Sequence, residues 1–252
     1  MALTTSTIDI ATPDGTADAF IAHQDDGQQH PGVLLFMDAY GLRQRIFEMS
    51  ERIAEAGYFV LAPNLFYRDG RAPLVDDLPS LMRSESRKRL FAVLGPFMSN
   101  LTPDGAMRDA EAYLDFLAGR DEVAEGPVGL TGYCMGGRLA LRTAAAFPER
   151  VAAVASFHGG NLANDAEDSP HQQADRIRAE VYVAHADNDR SMPPEQQQRL
   201  EEALSSAGVQ FRTELYDGAA HGFTQADTPA FNEQATERHW RNLFELFERT
   251  LH

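Results

Sequence analysis

Short, nearly continuous apolar segments alternate with helical patterns along the whole chain, and this alternation limits the folds that it can adopt. Val33–Met37 and Val181–His185 are apolar runs rather than alternating ones, as in strands that are buried on both faces of a parallel sheet. We predict strands over Ala19–Ala22, Gly32–Met37, Tyr58–Ala62, Pro127–Thr131, Val151–Ser156, Glu180–His185 and Phe211–Tyr216. The order of elements favours an α/β fold with a mostly parallel, doubly wound sheet and helices on both faces.

Helical patterns with start and stop signals fill the gaps between these strands. Thr102 and Pro103 supply a capping hydroxyl and a proline for the first helical position, and Gly57 and Gly119 follow two helix ends. We predict helices over Ile46–Ala56, Thr102–Ala118, Gly136–Phe147, Pro193–Ala207 and Phe231–Leu251. The chain is predicted to be one domain over residues 1–252. Residues 66–100 are either an insertion or cap beside a functional site or a plain surface helix.

Composition and charge exclude several classes of protein. The 252 residues carry 38 acidic and 22 basic side chains, a formal net charge of −16, which repels nucleic acid and anionic lipid. No apolar run is long enough to span a membrane, and no secretory signal is evident, so we expect a cytoplasmic protein. Cys134 is the only cysteine, which rules out an internal disulfide and any metal site that needs several thiolates. The histidines lack ligand-like spacing, so no metal is predicted.

The most informative segment is Gly132-Tyr133-Cys134-Met135-Gly136-Gly137, which follows a predicted strand and opens a predicted helix. A G-x-nucleophile-x-G turn presents its central side chain above the sheet edge, and a Cβ at either glycine would collide with neighbouring backbone. The helix N-terminus places partial positive charge beside the sulfur and lowers the cost of a thiolate. The alternative is a buried structural cysteine. The strand–turn–helix context favours a nucleophile at Cys134.

Together with aspartate and histidine segments further along the chain, this turn resembles that of the dienelactone hydrolase family, which has the α/β-hydrolase fold. The similarity in element order extends from about Ile8 to Leu251, and the Tyr-Cys-Met-Gly-Gly turn is typical of a branch that carries cysteine. The resemblance implies a hydrolase that opens a lactone or small carboxylic ester through a thiol-ester intermediate. It implies neither a metal nor an organic cofactor, and it implies a small-molecule partner for a monomer or small homo-oligomer.

An acid and a base should follow the nucleophile in that order, each just after a strand. The loop after Glu180–His185 holds two aspartates, Asp187 and Asp189. We prefer Asp189 because it lies four residues before a proline that begins a helix, as in hydrolases of this fold. Asp187 would then cap the loop. His221, in a His-Gly-Phe segment after the last predicted strand, is the predicted base. His158 also follows a strand end and either lines the pocket or is an ordinary loop histidine.

Two backbone N–H groups should bind the oxyanion of the tetrahedral intermediate. Met135, at the start of the elbow helix, supplies one, and the resemblance assigns the other to Ala39. The resemblance also places Asp38 where the family has a glutamate that contacts the resting cysteine. Asp38 is one methylene shorter than glutamate, and it could instead cap the loop. Tyr133 is a candidate substrate contact.

The substrate of this family carries a carboxylate that arginines bind. One such arginine is replaced here by Gln225, which weakens the case for a charged substrate because a charge-assisted contact is about twice as strong as a neutral one. Arg83 and Arg87 are the candidates for the other. The alternative to a cysteine hydrolase is a non-catalytic binding or scaffold protein that retains the fold. The residues at Asp38 and Gln225 are the only support for that alternative.

Overall fold

The structure is a computed structural model that describes residues 2–75 and 87–252. It contains two compact units. The first comprises residues 1–125 and 227–229, and the second comprises residues 126–226 and 230–252. The assignment of residues 1–252 to one domain stays a prediction.

Four strands of the first unit lie in the order β1-β2-β4-β3. β1 (Leu3–Thr12) and β2 (Gly15–Gln24) form an antiparallel hairpin. β2 is also antiparallel to β4 (Phe59–Pro63), which is parallel to β3 (Gly32–Phe36). β1 was not predicted, because its sequence is rich in threonine and Ile10 is its only buried residue. The other three strands confirm the predicted elements with shifts at their ends.

The helices of the first unit are α1 (Gln44–Glu55), α2 (Arg87–Asn100) and α3 (Pro103–Ala118). α1 buries apolar side chains and packs on β2 and β4. α3 begins as predicted: the Thr102 hydroxyl accepts a hydrogen bond from the Gly105 N–H at 3.2 Å, and a proline occupies the first turn. In α2, Leu90 and Leu94 form a small cluster that packs against Tyr40, Val75, Phe97 and Met98. Residues 66–100 therefore contain the expected helix, and their role as a cap stays a prediction.

The second unit consists of four parallel strands and the helices that cover them. β5 (Val128–Tyr133), β6 (Val151–Phe157), β7 (Glu180–Ala186) and β8 (Phe211–Tyr216) lie side by side in that order. β5 is buried along its whole length, which requires cover on both faces. Because the strands are parallel, the loops after their carboxyl ends all lie at one edge.

The helices of the second unit are α4 (Met135–Ala146), α5 (Pro194–Ser206) and α6 (Glu233–Leu251). α4 packs on β5 and β6, and α6 packs on β5, β6 and β7. α6 begins at the Asn232 cap, whose side chain accepts a hydrogen bond from the Ala235 N–H. Two short 3-10 helices, Pro148–Arg150 and Pro170–Arg176, lie in the connections. Within the described ranges, no helix has the length and apolar character that crossing a membrane requires.

Candidate active site

Cys134 occupies a single-residue turn between β5 and α4. Its φ is +56°, a conformation that non-glycine residues adopt only rarely and at a cost in backbone strain. The Cys134 N–H donates to the Phe157 carbonyl at 3.1 Å, and its own carbonyl accepts from the Gly137 N–H at 3.2 Å. The residue is partly exposed. The turn therefore holds the sulfur above the carboxyl end of β5.

The glycines of the turn are required by the close approach of strand and helix. A Cβ on Gly132 would lie 2.1 Å from the carbonyl oxygen of Gly136, and a Cβ on Gly137 would lie 2.3 Å from the Ser156 hydroxyl. Real Cβ atoms do not approach backbone oxygens so closely, so an alanine at Gly132 would force the backbone apart. The predicted reason for glycine is thereby confirmed at Gly132.

The structure brings Cys134, Asp189 and His221 together in the second unit. They follow β5, β7 and β8, whose carboxyl ends share one edge. The Nδ1 atom of His221 lies 2.6 Å from Oδ2 of Asp189. The Cys134 side chain also acts on the His221 ring and raises its pKa. The arrangement has the connectivity of a nucleophile–base–acid triad.

The charges of this group shift two pKa values. Burial alone would lower the pKa of His221, but the hydrogen bond to Asp189 and the interactions with Cys134 and with the Asp189 charge raise it to about 10. Burial would raise the pKa of the Asp189 carboxyl. Hydrogen bonds from His221 and Ser191 outweigh that effect and hold this pKa below its usual value. The site therefore favours an imidazolium at His221 beside the Asp189 carboxylate.

Ser191 supports the carboxylate and was not predicted. Both its backbone N–H (2.8 Å) and its hydroxyl (2.7 Å) donate to Oδ1 of Asp189, which leaves Oδ2 for His221. An aspartate followed two residues later by serine is the spacing of an Asx turn. That spacing is the local signal that could have identified Ser191.

Asp187 lies in the same loop with a different partner. Its Oδ2 atom accepts a hydrogen bond from the Gly218 N–H at 3.1 Å, so it connects the loops after β7 and β8. The geometry supports the preference for Asp189 as the group that contacts His221.

The predicted substrate contact through the Tyr133 side chain needs correction. The Tyr133 ring is fully buried and packs on Phe157 at a centroid distance of 5.7 Å. Its hydroxyl lies 3.0 Å from Nε2 of His239. Successive side chains of a strand point to opposite faces, and that of Tyr133 points into the core of the second unit.

The predicted oxyanion donors lie at two strand ends. Met135 is the first residue of α4, so the helix provides no acceptor for its N–H. Ala39 follows β3 in the first unit, between Asp38 and Tyr40. The role of both N–H groups stays a prediction.

Asp38 forms a buried ion pair in the first unit. Arg43 donates to it through Nη1–Oδ1 at 2.8 Å and Nη2–Oδ2 at 3.1 Å, and the Tyr40 N–H donates to Oδ1 at 2.9 Å. Arg43 also pairs with Asp227 at 2.6 Å. Asp38 thus caps its own loop, and its contact with the resting cysteine stays a prediction. Sequence reasoning gave no signal for Arg43.

The predicted contact of Arg83 or Arg87 with a substrate carboxylate stays a prediction. Arg83 lies outside the described residues, and no side-chain contact of Arg87 is described. Gln225 is buried and donates through Nε2 to the Thr224 hydroxyl at 3.1 Å. Within residues 2–75 and 87–252, no cluster of three or more His, Cys, Asp or Glu side chains is arranged to hold a metal ion.

Comparisons with known proteins are consistent across sequence and structure. The profile of the Dienelactone hydrolase family matches residues 17–251. A relative from Methylorubrum extorquens, “Putative carboxymethylenebutenolidase”, is 26% identical over 244 residues, which cover 95% of this chain and 79% of that protein.

Two crystal structures are similar over the whole chain. One is titled “Putative Dienelactone Hydrolase”, from Klebsiella pneumoniae, with a TM-score of 0.85 at 22% identity over 99% of this chain and 100% of that chain. The other is a dienelactone hydrolase-like promiscuous phosphotriesterase from metagenomic libraries, with a TM-score of 0.80 at 25% identity over 100% of both chains. These similarities confirm the predicted α/β-hydrolase fold.

Proposed function

The chain belongs to the dienelactone hydrolase family, and from this premise we propose that it opens a lactone or small carboxylic ester with Cys134 as the nucleophile. The family makes the chain a carboxylic ester or lactone hydrolase. The observation that supports the cysteine mechanism is the 2.6 Å hydrogen bond between His221 and Asp189, with Cys134 near enough to raise the pKa of His221, at the carboxyl ends of three parallel strands.

In the first half of the reaction, the Cys134 thiolate attacks the carbonyl carbon and a carbon–sulfur bond forms. The N–H groups of Met135 and Ala39 stabilise the resulting oxyanion. The carbon–oxygen bond to the leaving group then breaks, and the His221 imidazolium donates its proton to the departing oxygen. The product of this step is a thiol ester on Cys134.

In the second half, water hydrolyses the thiol ester. Neutral His221 removes a proton from the water as the oxygen attacks the thiol-ester carbonyl. The carbon–sulfur bond breaks, the acid product leaves, and the thiolate–imidazolium pair is restored. Asp189 stabilises the imidazolium and fixes the orientation of the ring throughout, while Ser191 holds Asp189.

The substrate is a neutral lactone or small ester. A charged side chain is absent at Gln225, and the amide there is buried and bonded to Thr224. The Asp189 carboxylate beside His221 does not attract an additional anion. We expect neutral esters to be turned over faster than analogues that carry a free carboxylate, as comparison of their kcat/KM values would measure.

Replacement of Cys134 tests the nucleophile. Cys134→Ala should lower kcat for p-nitrophenyl acetate by at least about 10³-fold while the protein stays folded, because the variant lacks the sulfur that forms the acyl intermediate. Cys134→Ser should fold equally well and be much slower, since a serine hydroxyl is not ionised by this histidine. Steady-state kinetics and circular dichroism measure the two properties.

The intermediate can be detected directly. Since Cys134 is the only cysteine, acid quenching followed by peptide mass spectrometry should find the acyl group on the Cys134 peptide, and iodoacetamide should abolish both the label and turnover. Full activity of the Cys134→Ala variant, or an acyl group elsewhere, would exclude the mechanism. Activity toward no ester or lactone would favour a binding protein.

A further inference from the structure

His158 lies directly beside the proposed base and has no assigned role. It is the first residue after β6, is fully buried and has a φ of +40°. Its Nδ1 atom has no hydrogen-bond partner among the described residues. A strained backbone and an unpartnered buried nitrogen both cost stability, so packing alone does not explain an imidazole at this position.

The His158 ring contacts both His221 and the turn that carries it. The centroids of the two imidazole rings are 5.3 Å apart, at an interplanar angle of 62°. The Nε2 atom of His158 lies 2.8 Å from the hydroxyl oxygen of Thr224, three residues after His221. The His158 backbone N–H donates to the Ala184 carbonyl of β7 at 2.8 Å. His158 thus connects the base-carrying turn to the strands beneath it.

The surroundings keep His158 neutral. Burial lowers its pKa well below the usual value, and the neighbouring His221 and His239 act in the same direction, against a smaller opposite effect of Asp189. The titratable side chain of Tyr133 in β5 also faces the ring, at a centroid distance of 6.0 Å. With its proton on Nε2, neutral His158 donates to Thr224 and leaves no buried N–H unsatisfied.

We propose that His158 is a positioning residue that holds the imidazole of His221 between Cys134 and Asp189 through ring contact and its hydrogen bond to Thr224. This inference rests on the proposed function, because it assigns to His158 an effect on the base of that reaction. A neutral ring can perform this task without competing for the proton that His221 transfers. Misplacement of a reacting group by about 1 Å can lower the rate by roughly 100-fold.

The hydroxyl of Thr224 provides a test that leaves the His158 backbone unchanged. Thr224→Val removes the partner of both His158 and Gln225 with little change in volume, so the turn should loosen and the hydrogen bond of His221 to Asp189 should weaken. We expect kcat to fall roughly tenfold with KM nearly unchanged, and the pKa of His221 to fall by about one unit or more. NMR titration of the imidazole C–H signals measures this pKa independently of activity. Thr224→Ser keeps the hydroxyl and should restore both values.

A second variant addresses the ring itself. His158→Asn tolerates a positive φ and can still donate a hydrogen bond, but it lacks the ring that contacts His221. It should lower kcat and the His221 pKa in the same direction as Thr224→Val. His185→Phe is the matched control, because His185 is another buried histidine, lies on β7 and has no hydrogen-bonded ring nitrogen within the described structure. It should leave the His221 pKa at its parent value.

The outcomes separate this inference from the proposed function. If His158→Asn and Thr224→Val keep the parent kcat and His221 pKa per folded molecule, His158 has only a structural role and the inference is wrong. If His158→Asn does not fold, the comparison of Thr224→Val with Thr224→Ser decides alone. Activity that survives Cys134→Ala would instead overturn the proposed function, while the NMR titration would still report on the contact between the two histidines.

Discussion

At the scale of single residues, the protonation of His221 depends strongly on its neighbours. Its side chain is about one-third exposed at 29%, while that of its partner Asp189 is 4% exposed. The pKa of about 10 therefore depends on hydrogen bonds made within a site that water reaches from one side. Removal of one partner should change the pH dependence of the reaction rather than the binding of substrate.

Asp189→Asn tests this dependence. In the parent protein, the rate should decline as the pH rises through about 10, because the imidazolium that protonates the leaving group is lost. The amide has no charge to stabilise the imidazolium, so the pKa of His221 should fall toward its usual value and the alkaline limb should move to lower pH. We also expect kcat to fall by roughly 10²–10⁴-fold. Profiles of kcat against pH measure both effects.

Asp187→Asn is the control for the neighbouring carboxylate. Asp187 accepts a hydrogen bond from the Gly218 N–H and does not contact His221, and asparagine can still accept that bond. The alkaline limb should stay at its parent position. A shift caused by Asp187→Asn and not by Asp189→Asn would show that the two aspartates had been assigned to the wrong roles.

At the scale of secondary-structure elements, backbone strain is concentrated at the carboxyl ends of the parallel strands. The non-glycine residues with a positive φ among those described are Cys134, His158, Asn161 and Asn188. All four lie in the loops that follow β5, β6 and β7. Strain of this kind persists only where the surrounding structure determines the conformation. The strands and helices here therefore hold the loops that carry the site in these conformations.

Gly132→Ala tests how far the elbow depends on close approach of β5 and α4. The added Cβ would lie 2.1 Å from the Gly136 oxygen, so one of the two elements must move. We expect a loss of about 2–4 kcal/mol in the free energy of unfolding, measured by urea denaturation. Activity should also fall, because the sulfur moves with the turn.

Gly95→Ala is the matched control, since Gly95 lies in α2 and nothing approaches its Cβ position within 4 Å. Alanine in a helix should leave stability unchanged or raise it by up to about 1 kcal/mol. Equal stability of the Gly132→Ala variant and the parent protein would mean that the strand and the helix can separate without cost.

At the scale of the whole molecule, two kinds of histidine change stability with pH in opposite directions. The pKa is lowered in buried His158 and His185 and raised in His221. Burial lowers the pKa of His185 to about 4 and that of His158 well below the usual value. The unfolded chain therefore binds more protons than the folded chain as the solution becomes acidic, and stability falls. The raised pKa of His221 acts oppositely: its stabilisation is complete below about 6.5 and is lost as the pH rises through about 10. Stability should be highest near neutral pH.

His185→Phe isolates the acid side of this dependence. One buried neutral histidine contributes a slope of up to about 1.4 kcal/mol per pH unit between the two pKa values. The free energy of unfolding of the variant should therefore fall less steeply than that of the parent between about pH 7 and pH 5. Urea denaturation at several pH values measures the slope, which is independent of any constant change in packing. Parallel curves for the two proteins would contradict the assignment.

The sequence by itself determined the order of most elements, the elbow at Cys134 and the candidate acids and base. These features depend on local chemistry: apolar periodicity, helix caps and the glycines that one turn requires. β1 was not predicted because a strand with one buried residue, Ile10, has almost no apolar periodicity in its sequence.

Only the tertiary structure decided which side chains meet. Asp187 and Asp189 differ by two residues in sequence, but one binds the Gly218 N–H and the other binds His221. Tyr133 is adjacent to Cys134 and points into the core, and His158 contacts Thr224 across a separation of 66 residues. The physical reason is that these contacts depend on the register of the parallel strands and on the direction in which the side chains at each strand end point. Neither is encoded in a short stretch of sequence.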